Sequence, residues 1–207
     1  MRLFKEGTID KIFHDVLNNI RTEIDSLRDS QILSGSLSDL SKSIADSHQI
    51  SELEIDLDNR MVDVVMVDVP GTSPLFPPGT DVMGDQLYPC ARVNYGFTID
   101  SGDLNLLSLQ PTAVAFNHDV SFEVDGNQFT IGYQTRNATL ELSQTWRDKT
   151  KEWLRVIIDR LREVINASNK EVQEFNSSLQ GQVSEALEAK REELQRRKDQ
   201  NDDLNKL

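Results

Sequence analysis

The chain is poor in the residues that most chemistry needs. Its 207 residues hold one cysteine, Cys90, so no internal disulfide framework can form. It has three histidines, His14, His48 and His118, far apart and none with a second ligand three or four residues away. No apolar run approaches the roughly 20 residues needed to span a bilayer. Met1 to Glu6 lacks the apolar stretch of a signal peptide, and a cytosolic protein is expected. Lysine is missing between Lys42 and Lys149, where Arg60, Arg92, Arg136 and Arg147 are the only strong cations. Of the net charge of −13, none falls from Ser143 onward, where 13 Lys/Arg balance 13 Asp/Glu. The first two thirds carry 9 basic and 22 acidic side chains, a surface that repels phosphate backbones, and no direct nucleic-acid binding is expected.

What is present is pattern. A helix is expected from about Thr8 to Asp29, with Ile9, Ile12, Phe13, Val16, Leu17, Ile20, Ile24 and Leu27 on one face and Thr8 as cap. The Ser-rich stretch 30–51 is expected to be loop apart from a short helix around Leu37, Leu40 and Ile44. From Glu54 the period becomes that of strands: Ile55, Leu57 and the β-branched run Met61–Val69, which Pro70-Gly71 stops. Residues 72–84 form a Pro-rich surface loop. Further strands are expected at 91–99, 105–109, 120–124 and 128–135, the last two joined by the hairpin signal Asp125-Gly126-Asn127.

Helix returns near Ser143. Its apolar positions, Leu154, Ile158, Leu161, Ile165, Val172, Phe175, Leu179, Val183, Leu187 and Leu194, recur at steps of mostly three and four. Asn176-Ser177-Ser178 followed by Gly181 is expected to break it, with Ser177 or Ser178 capping a second helix. Glu188–Arg191, Glu192–Arg196 and Glu193–Arg197 have helical ion-pair spacing. The expectation is therefore an α+β fold. An antiparallel sheet or small sandwich (53–142) is framed by an N-terminal helical segment (1–52) and a C-terminal helical hairpin or coiled-coil-like arm (143–207).

Candidate chemistry is thin, and no catalytic, cofactor-binding or metal-ligating residue is assigned. Glu54, Asp56 and Asp58 alternate along an extended segment and so share one side of a strand. Such a cluster suits Ca²⁺ or Mg²⁺, but equally the wet face of an edge strand. Asp68-Val69-Pro70-Gly71 has the Asp-x-x-Gly form of a GTPase switch, without any Gly-Lys-Ser/Thr phosphate loop to accompany it. Cys90 beside Pro89 reads as a small buried hydrophobe before it reads as a nucleophile partnered by His118. Trp146 and Trp153, two helical turns apart, form the strongest apolar pair. Trp146, Trp153, Leu154, Ile158, Leu161 and Ile165 are expected to pack the arm, with Val183, Leu187 and Leu194 as its outer seam. A homo-oligomer or a protein partner would supply the covering surface.

Two stretches also carry a resemblance. One is Arg92-Val93-Asn94-Tyr95-Gly96-Phe97-Thr98-Ile99 with Gly102-Asp103-Leu104 and Leu109-Gln110-Pro111-Thr112. The other is Glu174-Phe175-Asn176-Ser177-Ser178-Leu179 with Ala186 to Leu194. From about Glu54 to the end, the chain resembles the N-terminal region of bacterial defence proteins whose later part is an effector, a TIR domain or a restriction-endonuclease-like nuclease. The resemblance implies a non-catalytic sensor or assembly region, with the effector expected beyond Leu207. The readings set beside it are a metal-dependent binder or enzyme using Glu54, Asp56 and Asp58, and a viral or structural assembly protein.

Overall fold

The computed structural model describes residues 1–206. Along the chain come α1 (Asp10–Ser26), α2 (Asp29–Ser34), α3 (Leu37–Ser47), β1 (Glu54–Pro70), β2 (Leu87–Ser101), a 3₁₀ turn (Leu104–Leu107), β3 (Phe122–Asp125), β4 (Gln128–Gln134) and α4 (Gln144–Leu204). The class is α+β, with an antiparallel four-stranded sheet in the order β1-β2-β4-β3. No described helix is long and apolar enough to cross a membrane.

The residues divide into two compact units, neither of them a single stretch of sequence. Unit 1 joins Met1–Gly7 to Leu53–Ala167, and unit 2 joins Thr8–Glu52 to Ser168–Leu207. These boundaries differ from a three-part split at 52 and 142, because α4 contributes to both units and the first seven residues belong with the sheet.

In unit 1 the alternation of β2 and β4 puts Val93, Tyr95, Phe97, Ile99, Phe129 and Ile131 on one face, all buried. The opposite face carries Arg92, Asn94, Thr98, Gln128 and Thr130, so the sheet is packed on one side and wet on the other. Leu154, Ile157, Leu161 and Val164 of α4 are buried in the same unit, together with Phe4 and Phe116, whose rings lie 5.2 Å apart. The N-terminus closes the β3 edge. The Phe122 N–H donates to the Met1 carbonyl, Leu3 N–H to Val120, and Phe4 N–H to Leu107. Gly126, at φ 59, makes the expected hairpin between β3 and β4, whose loop is the two residues Gly126 and Asn127.

Residues 105–109 are not a strand. The Asp103 carboxylate accepts from the Asn105 N–H, which starts a 3₁₀ turn over Leu104–Leu107 and buries Leu106 and Leu107. Thr8 does not cap α1 either. Ile9 occupies the cap position without a side-chain bond, and the Thr8 hydroxyl turns to Asp10 instead.

Unit 2 is helical. Phe13 of α1 stacks on Phe175 of α4, with centroids 4.4 Å apart and planes within 6°. Ile20, Ile24, Ile32, Ile44, Val172, Leu179, Val183, Leu187 and Leu194 complete a buried core. The expected break at Asn176–Gly181 does not occur, and α4 runs uninterrupted for 61 residues. Each residue that looked like a breaker is otherwise employed or inexpensive. Asn176 Nδ2 donates to the Ile50 carbonyl at 2.9 Å, and its Oδ1 accepts from the Ile50 N–H at 3.1 Å. The Ser177 and Ser178 hydroxyls donate to the carbonyls three residues back, which is compatible with a helix interior. Gly181 costs about 1 kcal/mol in a helix, less than the roughly 1.5–3 kcal/mol gained by burying each of Phe175, Leu179 and Val183.

Candidate functional site

Unit 1 holds a cleft of about 730 Å³ between the packed face of the sheet and the first part of α4. Its floor is apolar: Leu57, Val62 and Val64 from β1, Val93 and Tyr95 from β2, and Leu154 and Ile158 from α4. The strand register explains this directly, since Val62 lies opposite Tyr95 and Val64 opposite Val93, all on one face.

The rim is basic. Arg60, Arg147, Lys151, Arg155 and Arg162 line it against Asp58, Glu141 and Asp159. Arg162 is tied to Asp58 and reaches Asp159 at 4.0 Å, while Arg155 is held by Glu152 at 2.7 Å. The Glu152 carboxylate accepts hydrogen bonds from the Arg155 guanidinium, which holds the Glu152 pKa below the usual range and raises that of Arg155. Arg60, Arg147 and Lys151 make no ion pair among the described residues, so three cations stand unneutralised over an apolar floor. A site so built favours an apolar body carrying a negative charge.

The acidic alternation does not converge. The Glu54 carboxylate accepts from the Ser101 hydroxyl, and Asp58 pairs with Arg162. Asp56 folds over the irregular β1 segment, taking bonds from the Asp58 N–H, the Asn59 N–H and Asn59 Nδ2. The Asn59 side-chain bond, with the backbone bonds behind it, lowers the Asp56 pKa below its ordinary value. Among the described residues no group of three His, Cys, Asp or Glu side chains is placed to hold a metal ion. Cys90 is buried in β2, and burial pushes its thiol pKa up, away from nucleophile behaviour. His118 lies edge-on to Phe116, with ring centroids 5.5 Å apart.

The expected interface residues fall in three places. Trp153 packs between Tyr133 and Tyr95, at 5.0 and 6.3 Å, on the sheet of unit 1. Trp146 carries Lys149 over its ring at 4.9 Å. Leu154, Ile158, Leu161 and Ile165 are buried, as are Val183, Leu187 and Leu194, which therefore lie in the core of unit 2 and not along an outward seam. Of the expected helical ion pairs, Glu192–Arg196 and Glu193–Arg197 form, at 3.6 and 2.6 Å. Arg191 instead donates through Nε to the Ile32 carbonyl and through Nη2 to that of Gly35, both at 2.7 Å.

Sequence reasoning missed the cleft. Its cations come from the neutral tail and from Arg60, some 90 residues earlier, so counting charge segment by segment hides them. The one available signal was Arg60 itself, the first cation after Lys42. No family model matches this chain, and no curated protein or solved structure is significantly similar to it.

Proposed function

We propose that this chain is a non-catalytic interaction module whose unit 1 takes up an amphipathic anion and passes its bound state to a partner or a separate effector domain. The observation that carries the reading is the cleft, with its apolar floor and the free cations Arg60, Arg147 and Lys151. Its volume lies within the roughly 300–1,000 Å³ typical of small-molecule sites. A route for the bound state is supported by α4, which supplies one wall of the cleft and continues without a break into the core of unit 2. Placement as the sensor or assembly region of a bacterial defence protein rests on the resemblance of residues 54–207, and self-association belongs to the same reading.

The test uses 8-anilinonaphthalene-1-sulfonate, an apolar body with one fixed negative charge. Saturable one-to-one binding is expected, weakened about tenfold or more when Arg147 and Lys151 are both changed to Glu. Binding that is unsaturable, or equal in the variant, overturns the reading.

A further inference from the structure

β1 is the open edge of the sheet. Its partner β2 lies on one side only, whereas the opposite edge, β3, is covered by the N-terminal residues. Which β1 backbone groups point outward follows from the register. In β2 the odd-numbered residues bond toward β4 and its flanks: the Ile99 N–H donates to Asn127, the Ala91 N–H to Asn137, and the Ala91 carbonyl accepts from Thr135. Those odd residues lie opposite the even residues of β1, as Val93 does opposite Val64 and Tyr95 opposite Val62. Antiparallel pairs alternate between bonded and non-bonded, so Arg60, Val62, Val64, Met66 and Asp68 direct their N–H and C=O groups away from the sheet. The Val64 N–H, one of these outward groups, donates to the Asp63 carboxylate at 2.8 Å.

The same segment exposes apolar surface: Met61 and Val62 are each 57% exposed and Met66 38%. A long, β-branched edge with free backbone groups is a template for strand addition. The sequence Arg60-Met61-Val62-Asp63-Val64-Val65-Met66-Val67-Asp68 also reads against its own reverse. With Val64 opposite Val64 on a two-fold axis, Val62 meets Met66 and Arg60 meets Asp68, twice by symmetry. All of these are even residues, as the outward groups require. Moving the axis to Asp63 sets two like charges face to face, and moving it to Val65 places Asp68 against Val62 and leaves Arg60 against Pro70.

We propose that two copies of this chain associate through β1, antiparallel and centred on Val64, joining their four-stranded sheets edge to edge with Arg60 of each copy paired to Asp68 of the other, which leaves Arg147 and Lys151 as the free cations of each cleft. The proposal names the surface for the self-association contained in the reading above and rests on that part of it. Asp63 opposes it mildly, because its carboxylate occupies the central N–H that the second copy must reach.

Sedimentation velocity on the full chain over a range of concentrations tests the proposal, with circular dichroism to verify folding. A concentration-dependent dimer is expected. Val64→Pro removes an outward N–H whose use within the chain is a local, exposed bond to the Asp63 carboxylate, and should leave a folded monomer. Arg60→Asp and Asp68→Arg should each weaken the homodimer about tenfold or more, since each sets like charges opposite one another. An equimolar mixture of those two variants should recover the dimer, because both cross-strand pairs become opposite in charge again. Asp63→Thr should tighten it. A wild-type chain that stays monomeric at every concentration overturns both the surface and the self-association reading. A dimer indifferent to the charge changes and their mixing overturns the β1 surface alone, and this holds even if Val64→Pro fails to fold.

Discussion

Replacing Gly181 with Ala asks whether α4 is one helix or two. In a continuous helix the Gly181 backbone is ordinary right-handed helix, and an added Cβ meets no heavy atom within 4 Å. The position borders an open groove of about 480 Å³ lined by small residues, including Ser177 and Ser184, so no overpacking arises. The gain is then the helix-propensity difference between Ala and Gly, about 0.8–1.0 kcal/mol. The reduced freedom of the unfolded chain is the same effect seen from the other state and is not added to it. For a chain of this size the melting temperature should rise by about 2–4 °C. Gly126 is the internal comparator. Its Cβ space is equally empty, but its φ of 59° lies in the left-handed region, so Gly126→Ala should lose about 1–2 kcal/mol. Urea denaturation followed by far-UV circular dichroism reads both. A Gly181→Ala chain less stable than wild type by more than about 0.5 kcal/mol would refute the continuous helix, because that sign belongs to a glycine in a left-handed helix end.

Asn176→Ala should cost about 2 kcal/mol in the same assay. It strips both backbone partners from the buried Ile50, and a loss below about 0.5 kcal/mol would mean those bonds contribute little. Ser168→Ala should be stabilising by about 1 kcal/mol, because the Ser168 hydroxyl is buried with no hydrogen-bond partner among the described residues. The Asp56 carboxyl should titrate below its ordinary 3.8 in a carbon-detected NMR titration, and Asn59→Ala should return it toward that value. Because the folded pKa is the lower one, the stabilisation from this turn is full above about pH 4 and is lost as the pH falls through the depressed value. An unchanged titration in the Asn59 variant would remove the assigned cause.

Where the sequence could be read, one local periodicity met one consistent burial pattern. The alternation of Val93, Tyr95, Phe97 and Ile99 predicts a half-buried strand, and the structure buries those side chains on one face. Asp125-Gly126-Asn127 predicts a tight hairpin, and Gly126 takes the positive φ it needs. The apolar face of α1 and the short helix α3 were legible for the same reason. The misread positions are those whose local preference is overruled by a distant partner. Asn176 is a poor helix interior residue judged alone, yet it serves as the hydrogen-bonding partner of Ile50, 126 residues earlier in the chain. Leu3 and Phe4 carry no periodic signal, and backbone bonds to Val120 and Leu107 fix them in unit 1.

The same reasoning explains why the cleft was invisible in the sequence while the pattern of the edge, though not singled out there, is contained in it. A cleft is made by convergence: Arg60 from β1 and Arg147 and Lys151 from α4 acquire a joint meaning only once the fold brings them around Val62 and Val64. An edge strand is made by one segment, so its valines, its flanking charges and its reversed symmetry about Val64 are all written between Arg60 and Asp68. What the sequence alone could not supply was the direction of the backbone groups, which depends on the register between β1 and β2. With that register shifted by one residue, Arg60 and Asp68 would turn their backbone groups inward and the self-complementary pattern would have no surface to act on.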